Sequence, residues 1–232
     1  TNKYEATGSI TFQGTKTLTG REMDSRDAYQ FTVTENGETV VYGHNNGTGT
    51  ITFETIKYQK ENIGTHIYNI SEDPITLGGL TIDPTPKKVV VEVKDDGSGM
   101  LNAVIVDEES DSVEFVNEYK AEGSITFEGT KKLEGRDMKS GDDFTFVVTE
   151  DGETVVYGYN NGTNTITFET IVYTQDMTGT HTYKIAEQPS DPVIPGVTND
   201  TKEYEVEVVV TDNGDGTLTA KADKEVKDVG FT

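Results

Sequence analysis

The sequence has no cysteine, no tryptophan and only six prolines in 232 residues. Without cysteine no disulfide can brace the fold in any redox compartment, so a covalent staple, if present, must be of another kind. Basic residues are also scarce: 19 Lys and Arg stand against 42 Asp and Glu, a net charge of −23. Such a balance argues against nucleic acid as a partner. No apolar run is long enough to cross a bilayer, and the start has neither a basic segment leading into an apolar one nor an initiator methionine. The sequence is therefore expected to be a piece of a longer polypeptide. In plentiful supply are glycine, with 24, and tyrosine, with 11. The chain reads as acidic and turn-rich.

It is also written twice. Gly8-Ser-Ile-Thr-Phe-Gln-Gly-Thr-Lys16-Thr-Leu-Thr-Gly-Arg21 returns as Gly123-Ser-Ile-Thr-Phe-Glu-Gly-Thr-Lys131-Lys-Leu-Glu-Gly-Arg136. The same offset aligns Glu38-Thr-Val-Val-Tyr-Gly with Glu153-Thr-Val-Val-Tyr-Gly, and Gly64-Thr-His-Ile-Tyr-Asn-Ile-Ser-Glu72 with Gly179-Thr-His-Thr-Tyr-Lys-Ile-Ala-Glu187. Two tandem domains follow, 1–119 and 120–232, each large enough for one modest core. The junction Asn117-Glu-Tyr-Lys-Ala-Glu-Gly123 has no Gly/Ser or Pro-rich spacer, which predicts a stiff, end-to-end pair.

Period-2 alternation marks strands over Ser9 to Leu18, Tyr29 to Val33, Thr50 to Ile56, His66 to Glu72, Val89 to Val93 and Val113 to Tyr119, while no segment carries a helical stripe. Asn36-Gly37, Asn46-Gly47, Asp96-Gly97, Asp151-Gly152, Asn161-Gly162 and Asp215-Gly216 supply the positive-φ residues that hairpins favour. The predicted fold class is all-β, with two tandem immunoglobulin-like β-sandwiches.

Successive side chains of a strand point to opposite faces. Ile10, Phe12, Gly14, Lys16 and Leu18 therefore share one face, as do His66, Tyr68, Ile70 and Glu72, and Val113, Phe115, Asn117 and Tyr119. The second copy repeats the first two sets with Lys131 and Glu187. A lysine, a glutamate and an asparagine thus fall on inward faces. Three readings are open. The side chains can reach water from strand ends; they can form a buried ion pair of small net stability; or they can react. Burial lowers a lysine pKa and raises a glutamate pKa, leaving both neutral. A neutral amine is a nucleophile, and a protonated carboxyl can hydrogen-bond the Asn carboxamide oxygen and polarise its carbon. Attack, proton relay through Glu and loss of ammonia would leave a Lys-Asn amide.

At Gly14-Thr-Lys16-Thr-Leu-Thr-Gly20, Tyr68-Asn-Ile-Ser-Glu72 and Glu114-Phe-Val-Asn117-Glu-Tyr119 the chain resembles the isopeptide-linked, immunoglobulin-like repeat domains of Gram-positive pilins and cell-wall adhesins, close to the streptococcal pilin isopeptide linkage domain. Gly129-Thr-Lys131-Lys-Leu-Glu-Gly135 and Tyr183-Lys-Ile-Ala-Glu187 carry the likeness in the second copy. The resemblance implies a spontaneous bond from Lys16 to Asn117 assisted by Glu72, in a structural stalk outside the cell, with neighbouring repeats as partners. It implies no cofactor, no metal, no turnover beyond the one self-reaction, and cell-wall attachment through parts of the parent. Lys131 and Glu187 match the nucleophile and acid of the second copy, but Phe231 matches Phe115, so the matching asparagine would follow Thr232. Thr1-Asn2-Lys3-Tyr4 matches Val116-Asn117-Glu118-Tyr119, making Asn2 a candidate partner in trans for Lys131. Lys132 has the opposite parity and is expected in solvent.

Other chemistry is weaker. Asp96-Gly-Ser98-Gly lacks the full nucleophile-elbow pattern. The abundant carboxylates offer pairs for glycoside hydrolysis, but nothing signals a large catalytic domain with a cleft. Asp212-Asn-Gly-Asp-Gly216 looks like a calcium loop but fits a hairpin turn better, and His66 and His181 recur without a ligand cluster. A Thr-Gln ester cross-link has no matching residue set. The main alternative function is a ligand-binding adhesin module for host protein or glycan, with Tyr42, Tyr157 and Tyr159 as its aromatic surface.

Overall fold

The computed structural model describes residues 2–106, 113–191, 193–223 and 229–232. The chain divides into two compact units, Thr1–Tyr119 and Lys120–Thr232. Among the described residues the only helical pieces are single 3-10 turns at Lys60–Asn62 and Gln175–Met177.

The first unit holds β1 (Thr7–Ile10), β2 (Gln13–Thr19), β3 (Gln30–Glu35), β4 (Glu38–His44), β5 (Thr50–Phe53), β6 (Ile56–Gln59), β7 (Gly64–Glu72), β8 (Leu80–Thr81), β9 (Lys87–Asp95), β10 (Leu101–Ile105) and β11 (Glu114–Tyr119). β1 pairs with β6, and the others follow the order β10-β9-β7-β3-β4-β5-β2-β11-β8. The second unit holds β12 (Glu122–Lys131), β13 (Thr145–Glu150), β14 (Glu153–Tyr159), β15 (Thr165–Thr174), β16 (Gly179–Glu187), β17 (Glu203–Asp212), β18 (Leu218–Ala222) and β19 (Gly230–Phe231), in the order β18-β17-β16-β13-β14-β15-β12-β19. Both units are the all-β sandwich type that the alternation predicts.

Two predicted strands of the first unit are interrupted. Ser9 to Leu18 breaks after Ile10, and Thr50 to Ile56 breaks after Phe53, because the chain leaves the β1–β6 ladder for the β2–β5 ladder there. The hydroxyls of Thr11 and Thr55 meet at 2.8 Å across the break. The matching runs of the second unit stay continuous as β12 and β15, with a register shift between Thr126 and Glu128.

Turn chemistry divides by type. At Asn36-Gly37, Asn46-Gly47, Asp151-Gly152 and Asn161-Gly162 both residues have positive φ, a conformation Asn and Gly reach at low cost. At Asp96-Gly97 and Asp215-Gly216 only the glycine does, because these aspartates begin longer loops and bond Ser98 and Thr217 instead.

The pairing that positions the site is parallel. β11 returns beside β2 with Phe115 opposite Lys16 and Asn117 opposite Leu18, so the last strand of the unit lies against its second. Phe115 is fully buried, its ring centroid 5.0 Å from that of Phe31. Burial of such a ring stabilises by about 1.5–3 kcal/mol, with about 0.5–1.5 more from the aromatic pair. This anchor fixes the direction of Asn117, two residues further on the same face. At the end of β2, Gly20 (φ +91°) brings its backbone against the Tyr119 carbonyl, where a Cβ would lie 1.9 Å from that oxygen. β19 repeats the parallel pairing, with Phe231 opposite Lys131 and its ring 5.0 Å from that of Phe146.

Candidate functional site

Lys16, Glu72 and Asn117 come from β2, β7 and β11 and meet inside the first unit. Their exposures of 3%, 6% and 0% exclude the reading in which they reach water from strand ends. Asn117 Nδ2 donates to Glu72 Oε1 at 2.6 Å. Lys16 Nζ lies 3.3 Å from Glu72 Oε2, yet this buried oxygen accepts no hydrogen bond of good geometry. The amine donates only long bonds, to the carbonyls of Thr17 at 3.3 Å and Phe115 at 3.4 Å. The Nζ–Oε2 distance is longer than that of a charge-assisted hydrogen bond.

Burial pushes the Lys16 amine below its ordinary pKa, with the Glu72 charge opposing it only in part. Burial likewise pushes the Glu72 carboxyl up, against the Asn117 hydrogen bond and the Lys16 charge. Both shifts favour the neutral forms. The Tyr29 ring, 5.0 Å from Nζ, helps keep water away, and its hydroxyl donates to the buried Asp27 at 3.0 Å. Tyr29 carried no sequence signal, since its ring acts only through the partner the fold gives it. The expected contact between Glu72 and the carboxamide oxygen is absent. Glu72 holds the nitrogen, and Asn117 Oδ1 accepts from the backbone N–H of Asp83 at 2.9 Å.

The second unit repeats part of this arrangement. Lys131 Nζ donates to Glu187 Oε2 at 2.7 Å, and Lys131 is 1% exposed. Phe144 replaces Tyr29 under the amine, with its centroid 4.5 Å away. The other carboxylate oxygen, Glu187 Oε1, accepts from Asn199 Nδ2 at 2.8 Å. Asn199 takes the seat on Glu187 that Asn117 takes on Glu72, and it is braced by Gln188 and Ser190. Strand parity cannot reveal it because it lies in a loop. Asn2 is exposed and precedes β1. Lys132 is exposed and lies 3.8 Å from Glu134.

The remaining candidates sit apart from these triads. Tyr42, Tyr157 and Tyr159 are each 40% exposed. In Asp212–Gly216 the carboxylates accept from the turn's own N–H groups, Asp212 from Gly214 and Asp215 from Thr217. Ser98 donates to Asp96. His66 and His181 each bridge two groups: His66 reaches Glu35 and the Asn62 carbonyl, and His181 reaches Glu150 and the Met177 carbonyl. At His181 both partners are acceptors, which favours a proton on each ring nitrogen. For His181, burial opposes the charge, but the Met177 carbonyl and Glu150 outweigh it and raise the pKa above 6.5. A raised folded pKa contributes stability that is complete below the unfolded value and is lost as pH rises through the folded one. The melting temperature of the second unit is therefore expected to fall from about pH 6.5 upward in the parent. His181→Gln should flatten that part of the profile; a parental slope in the variant would remove His181 as its source.

No curated protein matches the chain. The family model described as FctA, Spy0128-like isopeptide containing domain, matches residues 12–120 and again 127–232. The chain belongs to this family. The two matches place one FctA domain in each unit. Among solved structures, the major pilin protein T-13 of Streptococcus pyogenes is 17% identical, with 95% of this chain and 99% of that one covered and a TM-score of 0.34. Another major pilin of Streptococcus pyogenes is 15% identical, covering 100% and 97%, at 0.32. A C-terminal fragment of the pilus adhesin SpaC from Lactobacillus rhamnosus GG is 13% identical, covering 99% and 98%, at 0.26.

Proposed function

We propose that this FctA chain is a load-bearing stalk segment of a Gram-positive surface pilin or adhesin, closed in its first unit by an autocatalytic amide between Lys16 and Asn117 with Glu72 as proton carrier. The observation that carries this reading is the convergence of the three side chains in one buried site. The neutral Lys16 amine attacks Cγ of Asn117. The Nζ–Cγ bond forms, the Cγ–Nδ2 bond breaks, a proton moves from Nζ to Nδ2 through Glu72, and ammonia leaves. The fold supplies proximity, worth about 7–11 kcal/mol of barrier in favourable cases. No further substrate is needed, and the chain remains a structural protein after its single reaction.

Tandem mass spectrometry of the digested, denatured protein tests the reading. A branched peptide joining Lys16 to Asn117 is expected, and it should vanish in Lys16→Ala and Glu72→Ala. Unbranched peptides covering both residues in the parent would reject the cross-link.

For the second unit, Lys131 and Glu187 are proposed as nucleophile and proton carrier for an asparagine two positions beyond Phe231, as Asn117 is beyond Phe115. Lengthening the chain after Thr232 by Asn-Glu-Tyr should produce a second branched peptide, at Lys131. Failure of Lys131 to react in the lengthened chain would reject its role. A covalent dimer of the original chain on a denaturing gel would instead assign the trans partnership of Lys131 with Asn2.

A further inference from the structure

The carboxamide of Asn117 is held at both ends, and one holder has no part in the proton relay. Its Oδ1 accepts the backbone N–H of Asp83 at 2.9 Å, while its Nδ2 donates to Glu72 at 2.6 Å. A backbone N–H can only donate, so the atom facing it must be the carboxamide oxygen. This fixes the orientation of the group independently of how Glu72 is protonated.

The orientation matters for the reaction. When an amine adds to Cγ, negative charge develops on Oδ1, and Nδ2 becomes basic enough to take a proton and leave. A donor already aimed at the developing oxyanion lowers the barrier without reorganising during the step. Glu72 cannot fill that role, because its Oε1 is engaged with the leaving nitrogen and its Oε2 faces the amine at 3.3 Å.

We propose that the backbone N–H of Asp83 is the oxyanion donor for amide formation at Asn117, leaving Glu72 to carry protons from Nζ at one oxygen to Nδ2 at the other. In the tetrahedral adduct the carboxyl takes one proton at Oε2 and gives one at Oε1. Glu72 ends as it began, and the products are the amide and ammonia. The inference rests on the Lys16–Asn117 reading above.

The local structure explains why this N–H is in place. β8 pairs with the end of β11, Thr81 opposite Glu118 and Leu80 opposite Tyr119, so the segment carrying Asp83 is hydrogen-bonded to the strand carrying Asn117. The Asp83 side chain then fastens the turn: Oδ1 accepts the Thr85 N–H at 2.9 Å, and Oδ2 pairs with Lys87 Nζ at 2.8 Å. In the second unit Asp200 makes the matching turn bond, accepting the Lys202 N–H at 3.0 Å. The side chain positions the turn, and the backbone does the chemistry.

The experiment replaces one atom. Full-length chain made by cell-free translation with the α-hydroxy analogue of aspartate at position 83 carries an ester oxygen where the N–H was, and keeps the side chain. Ammonia loss is followed by intact mass after a pulse of synthesis. Closure should slow about 100- to 1,000-fold, the usual effect of losing one such donor. Asp83→Ala, which keeps the N–H but frees the turn that aims it, should slow closure by less than the ester does. Both changes are also made with Glu72→Gln, where no bond forms, and rates are compared at a temperature at which those unbonded chains resist protease. An ester chain that closes at the parental rate overturns the proposal. So does Asp83→Ala slowing as much as the ester, since the role would then belong to the side chain. If the parent itself never loses ammonia, the Lys16–Asn117 reading fails, an outcome distinct from either.

Discussion

Glu72→Gln is expected to lower the melting temperature of the first unit by roughly 15–40 °C while leaving that of the second unchanged. An amide from residue 16 to 117 closes a loop of about a hundred residues, for which the chain-entropy model gives about 4–5 kcal/mol. A domain of this size loses roughly 4–8 °C per kcal/mol. The glutamine nearly preserves the shape of the buried carboxyl but cannot relay a proton, so the bond is lost with little change in packing. Because Glu72→Gln leaves Lys16 without an acidic partner, Lys16→Met serves as the second variant: it is unbranched and apolar and leaves no buried amine unpaired. Both should melt far below the parent and lack its loss of ammonia. If Lys16→Met melts with the parent, the cross-link contributes no stability and the stalk reading loses its energetic basis.

The second large effect is mechanical. With Lys16 joined to Asn117, force applied between the ends of the first unit passes from β2 to β11 through a covalent bond, and the residues between them cannot extend. In single-molecule pulling the parent should therefore show no long extension from the first unit. Glu72→Gln should add one of about 330–360 Å, the contour of about a hundred residues at 3.3–3.6 Å each. The second unit provides an internal reference, since its own step should appear in both proteins. A long extension of the first unit in the parent would mean that the bond is absent or off the load path.

Much of this is legible from the residues. The duplication gives the two units, alternation gives most strands, and parity puts Lys16, Glu72 and Asn117 on inward faces because side chains in a strand alternate. The breaks after Ile10 and Phe53 were not legible, because they arise where the chain changes ladder partners rather than from any local preference. Asn199 was hidden for a related reason: a loop residue has no parity, and its bond to Glu187 exists only because the loop folds back on β16. The contact between Glu72 and the carboxamide was expected on the wrong atom. Sequence can place an acid near an amide but cannot turn the amide, which the Asp83 N–H does.

By itself the sequence determined the repeat, the β class, the absence of any disulfide and which polar side chains share a face with apolar ones, since these depend on composition and on period-2 geometry alone. The tertiary structure decided that β11 returns parallel to β2, that Lys16 and Glu72 sit 3.3 Å apart without a good hydrogen bond, and that Asn117 offers its nitrogen to one and its oxygen to neither. Those facts depend on pairings between residues distant in the chain, and strand periodicity carries no record of which strands will meet.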